Sequence, residues 1–311
     1  MDDILILSDD DLAGLGITPG EIATAIENAL IAKAGGRLHT APKAALMPGG
    51  GRYMMSTLAV GDDGLTVVKT VTVSPDNPAK GLPTINGAIQ VLDAETGLLR
   101  AVMGANWITA HRTAGLSAVA ARSLAPKHAE TVAFVGTGVQ AQSHLDAFAD
   151  MFPLKHVQAY GRGAANLARL EQKTKKMGLS FKAAKTPREA LSDADLIVTS
   201  VTLDYTIEPF LDASWLKPGA FAAITDLTIP WLPESLAHFG TIVVDDLEQE
   251  RASERPMVNP GQIAGDLTEL VAGTVPLAEG DAPSAFAFRG ISLGDYAVAT
   301  LALSRAEALK G

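Results

Sequence analysis

Apolar and polar positions follow two rhythms along this chain, and the change between them falls near residue 100. Ile4 to Leu7 reads as a short strand, and Asp9 to Asp11 supply oxygens for capping a first helix. A second helix follows Thr18-Pro19, with Ile22, Ile26, Ala29 and Leu30 at helical spacing, and Gly35-Gly36 ends it. From His39 to Leu99 short apolar pieces alternate with glycine turns: AALM, GGGRYMMSTLA, GLTVVKTVTV, TINGAIQVLD and ETGLLRAVM. That pattern predicts a meander of mostly antiparallel strands, with Asp93 to Gly97 as a hairpin-type turn. Asn106 to Leu124 is a long alanine-rich helical stretch that stops at Ala125-Pro126.

Beyond that stop, buried strands alternate with helices, as a parallel sheet requires. Val132 to Val135 is an apolar run that reads as a strand buried on both faces. Gly136, Gly138 and Ala141 follow in the order G-x-G-x-x-A, and Leu145 and Phe148 mark the apolar side of the helix after them. Strand, glycine turn and helix in that order form the first turn of a dinucleotide-binding (Rossmann) unit. Gly136 permits the tight turn, Gly138 lets backbone approach a pyrophosphate, and Ala141 lets the helix lie close to the strand. The free N–H groups of that helix then face the phosphates. Further strands are expected at 157–160, 195–200, 220–225 and 241–244, and helices at 164–177, 263–270 and 293–309. The fold class is therefore α/β: a Rossmann domain over residues 121–291 and an α+β domain formed by residues 1–120, to which 292–311 are joined by the resemblance described below.

Composition narrows the reading. The 311 residues include no cysteine, which removes disulfides, thiolate metal sites and cysteine nucleophiles together. No metal site is expected. A net charge of −10 argues against a nucleic-acid surface. The acidic N-terminus does not resemble a signal peptide, and no apolar run is long enough to span a bilayer, so a cytoplasmic enzyme is the expectation.

Four side chains stand out as candidate chemistry. Lys69 sits inside the apolar strand TVVKTVTV, either as a solvated outer-face residue or as a cation aimed at a substrate carboxylate. Arg112 lies among small residues in TAHRTAG, where its guanidinium can bind a carboxylate through two parallel hydrogen bonds or lie on the helix surface. Asp226 follows AFAAIT at the carboxyl end of a strand, where it can cap a turn or exchange a proton with substrate. The second strand of the dinucleotide unit ends in Tyr160, Gly161 and Arg162, with no carboxylate to bind a ribose 2′-hydroxyl. Arg162 can hold a 2′-phosphate, which favours NADP(H) over NAD(H); alternatively it is solvated or stacks on adenine. His111 is read as structural or peripheral.

Lys69, the segment SPDNPAKGLPTINGAIQVLDAETG, the ITAHRTAG helix, FVGTGVQA and the closing SLGDYAVATLAL together resemble the ornithine cyclodeaminase/μ-crystallin family, nearly end to end and in order. The resemblance implies a substrate-binding and dimerisation domain completed by the C-terminal helix, a Rossmann domain for NAD(H) or NADP(H), and a homodimer. It places Lys69 and Arg112 on the carboxylate-binding pair, Asp226 near the reacting nitrogen, and Thr84 in a turn beside the active site. Cofactor contacts are expected from Gly136, Thr137, Gly138, Val139 and Gln140 of the turn, from Thr199, Ser200 and Val201 after the third strand, and from Arg162. Two departures matter. Pro42 is followed by Lys43 where the family often has arginine, so a carboxylate contact there loses its bidentate fork. The stretch Arg52 to Ser56 has no carboxylate, which disfavours ornithine cyclisation. The implied activity is reduction of a cyclic ketimine of the Δ1-pyrroline-2-carboxylate or Δ1-piperideine-2-carboxylate type, with Asp226 and Lys69 as catalytic groups. An alanine-type dehydrogenase, a cyclodeaminase and a small-ligand binding protein with bound NADPH are the alternatives.

Overall fold

The computed structural model describes residues 4–202 and 205–310. They form two compact units, one running to Arg112 and resuming at Ile291, the other spanning Thr113–Gly290. The division falls inside one long helix.

The first unit opens with strand β1 (Leu5–Leu7) and helices α1 (Asp9–Gly14) and α2 (Pro19–Ala34). Strands β2 (Leu38–Thr40), β3 (Ala44–Gly49), β4 (Arg52–Gly61), β5 (Leu65–Val73), β6 (Ile85–Asp93) and β7 (Leu99–Gly104) follow. Their sheet runs β1-β7-β6-β5-β4-β2, with β3 also paired to β4. The meander from β3 to β7 is antiparallel as the alternation predicts, while β1 joins β7 in parallel. Alternation decides the faces. Ala59, Val67, Val71, Ile89 and Val91 are buried on one side, beneath the last helix, α9 (Ser292–Ala308), which also packs against α2. The other side exposes Leu46, Met54 and Leu58. The Asp93 turn is as expected: its Oδ1 accepts from the Glu95 and Thr96 N–H groups and from the Thr96 hydroxyl.

One capping expectation needs correction. The cap of α1 is Ser8, whose hydroxyl accepts from Asp11 N–H while Asp11 accepts in return from the Ser8 N–H. Asp9 is spent elsewhere: its Oδ1 accepts at 2.7 Å from Trp107 N–H, at the start of α3 (Ala105–Leu124). A carboxylate there meets the free amides and positive dipole end of a 20-residue helix.

The second unit is an eight-stranded parallel sheet. Strands β8 (Thr131–Val135), β9 (His156–Tyr160), β10 (Ser180–Ala183), β11 (Leu196–Thr199), β12 (Phe221–Ile224), β13 (Thr241–Val244), β14 (Ile263–Asp266) and β15 (Ser284–Ala287) stand in the order β10-β9-β8-β11-β12-β15-β13-β14. Helices α4 (Val139–Met151), α5 (Ala164–Lys176), α6 (Pro187–Leu191), α7 (Leu247–Arg251) and α8 (Leu267–Val271) connect them. The order reverses between β8 and β11, which opens a ligand crevice at the carboxyl ends of those strands. The helix expected over 263–270 is corrected to strand β14 followed by the short α8. Asp266 makes the break: its side chain caps α8 and Glu269 reciprocates, so the helix begins after it. Strands β10 and β15 have no counterpart in the sequence reading.

Candidate active site

Lys69 owes its position to the pleat of β5. Val67, Lys69 and Val71 share one face, so the lysine turns inward with the two valines and is 1% exposed. Its ammonium donates to Asp295 Oδ1 at 2.6 Å. Asp295, in the first turn of α9, also lies 3.1 Å from Arg112 Nε and accepts from the Thr57 hydroxyl at 3.3 Å. Thr57 is the cross-strand neighbour of Lys69. Arg112 is itself buried, and its Nη1 has no hydrogen-bond partner. Burial pulls the Lys69 ammonium down to about 8, and neighbouring Arg112 and Lys43 push the same way against Asp295. Burial raises Asp295, but the charges of Lys69 and Arg112 outweigh it and hold the carboxyl below its ordinary value. Two buried cations thus face one buried carboxylate, leaving one positive charge, with half-buried Lys43 near enough to act on the same groups.

The glycine turn of the second unit has the shape that a dinucleotide requires. Gly136 sits at φ +95°, and a Cβ there would lie 2.4 Å from the Ser200 carbonyl oxygen. Ser200 N–H in turn donates to Val135 at 2.8 Å, which draws the ends of β11 and β8 together. Gly138 is the N-cap of α4, makes no side-chain cap, and has open space where a Cβ would stand. The first amides of a 13-residue helix are therefore left for an anion. Ala141 is fully buried, as close helix–strand packing demands. Gly161 gives way to Thr137, whose hydroxyl would be 2.7 Å from a Cβ there. Arg162 is exposed directly beyond β9. Behind the turn, His144 is fully buried: its Nδ1–H donates to the Gln140 carbonyl, and its Nε2 accepts from the Ser117 hydroxyl at 2.9 Å. Burial lowers it to about 4, so the ring is neutral.

Asp226 follows β12 and is 1% exposed. Its carboxylate accepts at 3.0 Å from both the Thr199 hydroxyl and Val201 N–H, beyond the neighbouring strand β11. Burial raises its pKa to about 7 despite those two bonds. The next residues, Leu227 and Thr228, have φ of 57° and 59°. Left-handed backbone is costly for a β-branched residue and gathers at functional sites. Thr228 is held there by donating to the Met257 carbonyl at 2.6 Å.

The structure thus groups Lys69 and Arg112, with Lys43 at their edge, and places the glycine turn beside Ser200. It spends the Thr199 hydroxyl and the Val201 amide on Asp226. Thr84 is half-buried before β6, in a turn that Asn77 and Asn86 fasten by donating to the Pro83 carbonyl. His111 hydrogen-bonds the Trp107 carbonyl and stacks on its ring. Asp295 was missed. The available signal was a lone acid in the apolar run SLGDYAVA matched by a lone base in TVVKTVTV, since isolated buried charges need partners. Among the described residues no cluster of His, Asp and Glu suited to a metal ion occurs.

A two-unit α/β protein with a dinucleotide turn and a separate buried cation cluster is the class that fold and site define. The family model for the ornithine cyclodeaminase/mu-crystallin family matches residues 7–310, and the chain belongs to that family. Rat ketimine reductase mu-crystallin (Rattus norvegicus) is 30% identical over 252 residues, covering 80% of this chain and 78% of its own. An archaeal alanine dehydrogenase dimer with bound NAD superposes with a TM-score of 0.87 at 27% identity, covering 99% and 97% of the two chains. Thermococcus litoralis Δ1-pyrroline-2-carboxylate reductase, in complex with NADH and L-proline, shares the fold with a TM-score of 0.89 at 24% identity, over 99% and 98%.

Proposed function

We propose that this protein is an NAD(P)H-dependent reductase of a cyclic ketimine carboxylate, of the Δ1-pyrroline-2-carboxylate or Δ1-piperideine-2-carboxylate type. The observation that carries the reading is the unbalanced positive charge at Lys69, Arg112 and Asp295, with an unpartnered buried Nη1 donor on Arg112. A substrate carboxylate supplies the missing charge and acceptor together. Likeness to a ketimine reductase supports the substrate class, and likeness to an NAD-bound alanine dehydrogenase supports the cofactor class.

Gly136, Gly138 and the first amides of α4 would hold the pyrophosphate, and Arg162 a ribose 2′-phosphate, which favours NADP(H). When bound, the reduced nicotinamide would supply the hydride that an imine carbon accepts. Lys69, Arg112 and Lys43 anchor the carboxylate and so fix which carbon is presented. Asp226, raised to about 7 by burial, is part-protonated near neutral pH and would give that proton to the substrate nitrogen as the nitrogen gains electron density. Thr199 and Val201 fix the orientation of the carboxyl. The region to Arg112, joined by the C-terminal helix, serves as the substrate-binding and dimerisation domain, and the protein acts as a homodimer.

The test is loss of reduced-nicotinamide absorbance with a cyclic ketimine, for NADPH and NADH in parallel. Turnover with the ketimine and higher kcat/KM for NADPH, lost in Arg162→Ala, are the expected results. Turnover with pyruvate and ammonia but not with ketimine assigns an alanine-type dehydrogenase instead. Cofactor binding with no turnover on either substrate assigns a binding protein.

A further inference from the structure

The reductase reading leaves Asp295 without a task, yet it is the one carboxylate among the charged groups acting on Lys69. We propose that Asp295 sets the charge of the accepted substrate, so that the cluster takes an imino or amino acid with one carboxylate and rejects one with two. The inference rests on the reductase reading and names the substrate's charge class.

Charge balance is the first argument. Lys69 and Arg112 bring two positive charges out of water and Asp295 returns one negative charge, so a single anion completes neutrality. A second carboxylate would be an uncompensated charge in a dry site, among the most expensive things to bury. Lys43 is half-buried at the edge; its charge is felt by Lys69 and Asp295, but more weakly than theirs because it still meets water.

Geometry is the second. Asp295 does not fill the clamp. Its two oxygens are taken up by Lys69 at 2.6 Å and Thr57 at 3.3 Å, which hold it on the β4–β5 side. Its approach to Arg112 Nε at 3.1 Å is an ion pair without hydrogen-bond direction, and Nη1 has no partner. The guanidinium keeps donors for one incoming carboxylate. Without Asp295 both cations would be available, and the site would suit a dianion. Asp295 is a positioning residue for Lys69 and Arg112, and selectivity is its measurable effect.

The experiment is calorimetric titration of the full chain, loaded with NADPH or NADH, with pyrrole-2-carboxylate and pyrrole-2,5-dicarboxylate. These planar analogues share a ring and differ by one charge, and neither is reduced. Wild type binds the monocarboxylate more tightly, by about tenfold or more. In Asp295→Asn the ratio moves toward the dicarboxylate by about tenfold or more. In Lys69→Met the buried charge falls to zero, and preference for pyrrole-2-carboxylate over the neutral pyrrole-2-carboxamide is lost. The double variant Lys69→Met/Asp295→Asn restores one net charge and returns the mono-to-di ratio toward wild type. An unchanged ratio in Asp295→Asn, or equal weakening of both acids, overturns the inference and leaves the reductase reading intact. If Asp295→Asn does not fold, the other two variants decide. A Lys69→Met protein that still prefers the acid to the amide, or a double variant that does not recover the ratio, overturns it. If wild type binds neither acid while binding cofactor, the reductase reading falls and takes the inference with it.

Discussion

Asp226 combines two opposed influences: burial raises its pKa to about 7, while the hydrogen bonds from Val201 and Thr199 favour its charged form. Replacing it by asparagine is expected to lower kcat by about 10²–10⁴-fold while cofactor affinity stays within a few-fold, measured by steady-state kinetics and cofactor titration. The same substitution has a stability signature. The folded state keeps this proton up to about 7, whereas the unfolded chain releases it near 3.8, so the folded state binds more protons between those values. The group's contribution to stability therefore falls as pH rises through that window. Asp226→Asn removes the buried charge, so its Tm should exceed that of wild type at pH 8 and not at pH 4. Gly136→Ala is the complementary case, since its Cβ would meet the Ser200 carbonyl at 2.4 Å and force a positive φ on alanine. Cofactor affinity should drop at least about tenfold by fluorescence titration. Lys69, Arg112 and Asp226 were legible in sequence because each interrupts an apolar or small-residue run. Asp295 likewise interrupts the apolar run SLGDYAVA, but its partner lies 226 residues away, and only the fold shows which base it meets.

Among the elements, those with a strong local signal match their sequence patterns, and those defined by tertiary contact do not. The glycine turn, α2, α5 and the β3–β7 meander are written in periodicity, caps and turn residues. Strand β15 is four residues, SAFA, and becomes a strand because it is inserted between β12 and β13, where both its edges find partners. No window of sequence holds that information. The α1–α3 junction is similar: three consecutive aspartates look interchangeable, but Asp9 reaches across to another helix and Asp11 closes a capping box with Ser8. Asp9→Ala should destabilise the first unit by about 1 kcal/mol, while Asp10→Ala should be close to neutral, in denaturant titrations. Loss at Asp10 equal to that at Asp9 would mean that net charge, not the α3 cap, is what matters.

At the scale of the whole molecule, the outer face of the first unit's sheet is unusually apolar. Leu46 and Met54 are directly opposed across β3 and β4, and they are 72% and 41% exposed. A two-sided sheet with such a face calls for a cover, and in the homodimer proposed above a second copy of the chain would supply it. Light scattering is expected to give twice the 32.3 kDa chain mass, and Leu46→Glu with Met54→Glu to give the monomer. A stable wild-type monomer at micromolar concentration would remove the homodimer. His144 adds a global pH limit of opposite sign to that of Asp226. Folded, it stays neutral down to about 4, while the unfolded chain takes a proton below 6.5, so its contribution is lost as pH falls through that range.

The first unit is interrupted in sequence: its sheet and α2 are complete by residue 112, but α9, which lies over that sheet and carries Asp295, comes only after the whole second unit. During synthesis the ribosome therefore delivers Lys69 226 residues, and Arg112 183 residues, before their counter-ion. Until then the early sheet has an open apolar face and two unmatched cations, a state with every reason to stay fluid. Completion of the first unit therefore waits for the C-terminal helix, and a nascent chain cannot assemble the Lys69–Arg112–Asp295 cluster before that helix has emerged.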